Sequence, residues 1–76
     1  MQPGPDYAYV QLAEWIEGRI GDGTLTPGAR LPGERALAEE YGVALGTVRS
    51  ALRVLRDKDL IITTPSKGTF ISRKMP

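Results

Sequence analysis

Arg49, Arg53 and Arg56 follow one another at intervals of four and three residues, with Thr47 and Ser50 set among them and no acid until Asp57. On a helix this spacing gathers the side chains on one face. Guanidinium forks bind phosphate oxygens or the paired acceptors of a guanine edge, and hydroxyls donate to either. Two smaller groups share that chemistry: Arg35, upstream, and Ser66-Lys67-Gly68, downstream. Chemistry of other kinds has little material, because the chain contains no histidine and no cysteine. That removes the commonest general base and metal ligand, and with them thiolate sites and disulfides. The residues suit the holding of an anion rather than turnover, so we expect no enzyme, no cofactor and no metal.

The distribution of charge points the same way. Although the net charge is only +1, residues 1–43 hold three bases against seven acids, and residues 44–76 hold seven bases against two. Positive charge polarised to one half suits docking on a polyanion, whereas an even scatter would mean only a solvated surface. At 76 residues, 41% hydrophobic and 25% charged, the chain reads as one domain over residues 1–76 with a small core. No apolar run approaches the roughly 18 residues of a membrane span, and Met1 to Pro5 lacks the pattern of a signal peptide. The expected location is the cytoplasm.

Elements that could position these groups are visible in the apolar spacing. Tyr9, Leu12, Ala13, Ile16 and Ile20 recur at helical intervals, predicting a first helix over about 6–20 with Asp6 as N-cap and the Gly21-Asp22-Gly23 cluster ending it. Thr26-Pro27-Gly28 is a turn sequence, in a connector with one very short strand at Arg30-Leu31. A second helix is expected over about 33–41, opened by Gly33 and Glu34, burying Leu37, Ala38 and Tyr41, and stopped by Gly42 in the left-handed conformation. Val48, Ala51, Leu52 and Leu55 set the buried stripe of a third helix over about 45–57. Leu60 to Thr64 and Thr69 to Ser72 read as strands joined by Pro65-Ser66-Lys67-Gly68, a hairpin over about 60–72. Tyr9, Trp15, Tyr41 and Phe70 are expected to be packing residues rather than platforms for stacked bases.

Two short helices joined through a glycine form a helix-turn-helix, and a hairpin directly after it is a wing. The fold class is therefore mainly α with a small β-hairpin, a three-helix winged helix-turn-helix. In that motif the second helix of the pair enters the major groove with its N-terminal residues at base edges. Arg35, Gly46, Thr47, Arg49, Ser50 and Arg53 fall where base and phosphate contacts are made, with free amides at the helix N-terminus for a phosphate. Ser66, Lys67 and Gly68 at the hairpin tip suit a phosphate run or a minor groove. A basic helix face alone is most often merely solvated, and a Lys-Gly tip merely a turn. Order and spacing together carry the reading.

Residues Leu25 to Arg35 (LTPGARLPGER), Leu37-Ala38, Tyr41-Gly42-Val43, Thr47-Val48-Arg49, Ala51-Leu52, Leu55 and Lys67 to Ile71 resemble, in register, the DNA-binding domain of the GntR family of bacterial transcriptional regulators. The resemblance runs from Tyr9 to Ile71. It implies binding to short inverted-repeat operators in double-stranded DNA as a homodimer, with little dimerisation by the isolated domain, and usually repression. It also implies contacts from Arg35, Thr47, Arg49, Lys67 and Gly68, a nucleoid location, and an effector site outside a domain of this kind. The chain departs from the family at Ala44, Leu45 and Gly46, where polar or basic residues are common, and at Asp59, where glycine is usual. Ala44 has no side-chain oxygen to cap the third helix, and Leu45 offers only apolar contact, as to a thymine methyl. Those two residues suggest an alternative, a winged-helix module for protein interaction, favoured if Leu45 lay exposed near Trp15 or Tyr41.

Overall fold

The computed structural model of the chain describes residues 5–73; Met1 to Gly4, on which most of the signal-peptide expectation rests, lie outside them. Helix α1 spans Pro5–Gly21, α2 Glu34–Tyr41 and α3 Leu45–Asp57, followed by strands β1 (Ile61–Thr64) and β2 (Gly68–Ile71). Proline suits a first helical position, where an amide would go unpaired in any case. Asp6 therefore sits inside the first turn of α1, which corrects the expectation that it caps the helix. At the other end, the Thr24 amide donates to Asp22 Oδ1 at 2.8 Å. The Thr24 hydroxyl and amide together hold the Asp22 carboxyl below its ordinary pKa.

Leu12, Ala13, Ile16 and Ile20 of α1 are buried against Val48, Ala51, Leu52 and Leu55 of α3, with Leu37 from α2 closing the cluster. The helical spacing of these residues fixes which faces meet, and burying them supplies the main driving force for the fold. Tyr9, Ala38 and Tyr41 pack half-buried at the margin. Trp15 packs between helices rather than in the core. It is 61% exposed and touches the fold through a tilted contact with Tyr41, ring centroids 5.5 Å apart. Its position on α1, one residue before the buried Ile16, turns it off the core stripe.

Gly42 ends α2 at φ 67° and ψ 38°, its amide donating to the Ala38 carbonyl. Asp59 takes φ 61° in the turn after α3, a conformation that aspartate reaches at lower cost than most residues. The hairpin is antiparallel, with Ile61 opposite Ile71 and Thr64 opposite Gly68. Ile61 and Ile71 face the core, while Ile62 faces solvent. The connector adds an edge to it: Arg30 bridges Phe70, the Leu31 amide donates to the Thr69 carbonyl at 2.8 Å, and the Ile71 amide donates to the Ala29 carbonyl at 2.8 Å. The very short strand expected at Arg30-Leu31 is thus one residue bridge on β2. No described helix is long and apolar enough to cross a membrane.

Candidate nucleic-acid interface

The basic exposed surface is built on α3, whose buried stripe fixes the orientation of the opposite side. With Val48, Ala51, Leu52 and Leu55 inward, Gly46, Arg49, Arg53 and Arg56 are exposed and Thr47 and Ser50 half-buried. Ala44 is the N-cap residue of α3, extended at φ −70° and ψ 154°, and no side chain caps the helix. Leu45 is half-buried, so the exposed apolar patch that would favour a protein-interaction module is not formed there.

Arg49 is held rather than free. Its Nε donates to Glu34 Oε1 at 3.0 Å, while its side chain remains 60% exposed. Glu34 stands first in α2, so this ion pair ties the two helices of the motif together at their outer edge. The bond uses only Nε, which leaves the two terminal amino groups of the guanidinium open to another acceptor. Such a pair is the fork that matches guanine O6 and N7. Arg35, the next residue of α2, is exposed.

The wing is coupled to α3 by polar contacts. Arg56 Nη2 donates to Thr63 Oγ1 at 2.9 Å, and the Thr63 and Thr69 hydroxyls lie 3.1 Å apart across the strands. At the tip, Ser66 and Lys67 are exposed and Gly68 is half-buried. Ser66 takes φ 67° and Gly68 φ 126°, the left-handed backbone that a tight turn requires. A groove of about 340 Å³ separates this tip from the start of α2, lined among others by Arg30, Gly33, Glu34, Ser66 and Lys67.

All the residues expected at the site occupy two neighbouring pieces: Arg35, Gly46, Thr47, Arg49, Ser50 and Arg53 on the helix pair, and Ser66, Lys67 and Gly68 at the wing tip. The sequence did not reveal two others. Glu34 reads locally as an acid at a helix start, and nothing in the spacing signals its partner 15 residues on. Arg30 reads as connector; the short strand expected there was the one available sign that it would reach the wing.

Three helices with a basic exposed face on the third, followed by a two-stranded hairpin, define a winged helix-turn-helix. Residues 8–71 match the family described as "Bacterial regulatory proteins, gntR family", and the chain belongs to that family. It is 38% identical over 65 residues to the HTH-type transcriptional repressor NagR of Bacillus subtilis (strain 168), and 39% identical over 66 residues to the mannosyl-D-glycerate transport/metabolism system repressor MngR of Escherichia coli (strain K12). Those alignments cover 86% and 87% of this chain but 27% and 28% of the relatives, so the chain spans little more than a quarter of their length. Among solved structures, a transcriptional regulator from Oenococcus oeni superposes with a TM-score of 0.88 at 31% identity, covering 97% of this chain and 60% of that one. The AraR DBD in complex with operator ORX1 superposes with a TM-score of 0.83 at 30% identity, covering 95% and 82%.

Proposed function

We propose that this chain binds double-stranded DNA with sequence specificity, as the DNA-binding domain of a bacterial transcriptional repressor. The observation that carries this is the pinned Arg49: an exposed guanidinium on the first turns of α3, aimed by Glu34 with its terminal donors open. Arg49 reads a base edge in the major groove, Thr47 and the uncapped amides at Gly46 take base or phosphate contacts, and Arg35, Ser50 and Arg53 grip the flanking backbone. Ser66, Lys67 and Gly68 lay the wing on the neighbouring phosphates or minor groove. Similarity to a protein solved with operator DNA supports this placement. On this reading residues 1–76 form one domain that is not an enzyme and works in the cytoplasm on the nucleoid. Two copies bind an inverted repeat, and any effector acts elsewhere.

Selection from a random duplex pool tests the proposal most fully, since it reports duplex binding, preferred sequence and half-site spacing together. About five phosphate contacts would give log K a slope of roughly −4 to −5 against log salt. Arg49→Ala should weaken binding to the selected sequence by about 1 to 3 kcal/mol, and relax the preference at one base pair. Unchanged affinity and preference in a gel-shift comparison of that variant would remove Arg49 from the interface.

A further inference from the structure

An arginine lies over each of two half-buried glycines, one in the connector and one in the wing: Arg73 covers Gly28 and Arg30 covers Gly68. A Cβ placed on Gly68 would stand 2.7 Å from Arg30 Nε, so a side chain there would require the guanidinium to move. Strand pairing explains the contact. Arg30 bridges Phe70, and Gly68 lies two residues before Phe70 on the same strand, hence on the same face. Diagonal neighbours of this kind lie within reach of a long side chain. The guanidinium of Arg30 is thus laid along the sheet toward the turn that carries Ser66 and Lys67.

The other charged groups show what this arrangement is free to do. Arg19, Arg49 and Lys58 each sit within ion-pair distance of a glutamate, and Arg56 donates to Thr63. Arg30 is exposed and, among the described residues, its side chain makes neither an ion pair nor a hydrogen bond. Arg35, Arg53 and Lys67, which the proposed function already places against DNA, share that condition, and so does Arg73 at the far end of the hairpin. Guanidinium donors normally find acceptors. This one is positioned by shape on a bare glycine, beside the Lys67 tip and on the rim of the groove that faces the start of α2.

We propose that Arg30 is a DNA-contacting residue, which together with Lys67 holds the phosphate backbone of one strand at the wing. The inference rests on the function proposed above and extends its surface to a residue of the connector. Gly68 then serves twice, by adopting φ 126° and by leaving the space in which the guanidinium lies. A phosphate contact carries no sequence information, so Arg30 adds affinity equally on all sequences.

The test is a salt titration of the 76-residue chain and of Arg30→Gln, Arg30→Lys and Arg73→Gln, on a mixed-sequence duplex of about two helical turns. Arg73 is the comparison because it lies on Gly28, whose amide bonds the Ile71 carbonyl. Gly68 to Ile71 spans about 10 Å of extended strand, which sets Arg73 at the end of the hairpin away from the tip. Arg30→Gln should reduce the slope of log K against log salt by about 0.9, the loss of one phosphate contact. It should weaken binding a few-fold, by the same factor on the mixed duplex and on any selected sequence. Arg30→Lys should keep the wild-type slope, and so should Arg73→Gln. An unchanged slope in Arg30→Gln overturns the inference, with or without a lower melting temperature, as does an equal loss in Arg73→Gln, which would signify only a change in total charge. Failure of the wild-type chain itself to associate with duplex would bring down the proposed function, and this inference with it; wild-type binding with an unaltered Arg30→Gln slope brings down Arg30 alone.

Discussion

At the scale of single residues, the pair formed by Glu34 and Arg49 has opposite consequences for affinity and for selectivity. An exposed ion pair of this kind contributes little to stability, and a carboxylate near a phosphate backbone opposes binding. On the proposed function its value lies in aiming the guanidinium before DNA arrives, because immobilising such a side chain on binding costs about 0.5–1.5 kcal/mol. Glu34→Ala should therefore weaken binding to the preferred sequence by about that amount while leaving binding to random duplex equal or stronger. The ratio of the two affinities, measured side by side at one salt concentration, is the readout. A parallel loss on both duplexes would mean that Glu34 supports the fold and does not tune readout.

At the scale of elements, α3 is oriented by its neighbours rather than by its own ends. Its N-cap is Ala44, with no side-chain hydrogen bond, and its C-terminal end is tied to α1 by Lys58 and Glu17 at 3.0 Å. The Ala44 backbone already has the extended conformation that a capping residue needs. Ala44→Ser should raise stability by about 1 kcal/mol, read as a shift in the denaturation midpoint at constant m-value. No gain would indicate that DNA-free α3 has its first amides satisfied by solvent as well as a serine would satisfy them. The wing follows the same logic: Arg56 and the paired threonines fasten it to α3, so tip and helix are held as parts of one surface.

At the scale of the whole molecule, one copy presents one helix and one wing, which on the proposed function serve one half-site. Two copies joined by a short flexible linker would bind the second half-site at an effective concentration near millimolar. Such a tandem should bind an inverted repeat about a hundredfold or more tighter than a single half-site, measured by titration at equal salt. Equal affinities for the two would contradict operation as a pair on inverted repeats.

The apolar spacing determined the three helices, because the residues at helical intervals in α1 and α3 are the ones that bury, and burial dominates the energetics. Local chemistry determined the stop at Gly42, the tolerance of Asp59 and the tip at Lys67-Gly68, since each depends on one residue's backbone freedom. For Trp15 the sequence left core and helix packing both open; its place on the helix wheel, beside Ile16 rather than in the stripe, puts it at the surface against Tyr41 of α2. Tertiary structure alone decided that Glu34 meets Arg49 and that Arg30 lies on Gly68. Those contacts join residues far apart in the chain, and their geometry arises only when the helix pair closes and the connector pairs with the wing, which no local pattern encodes.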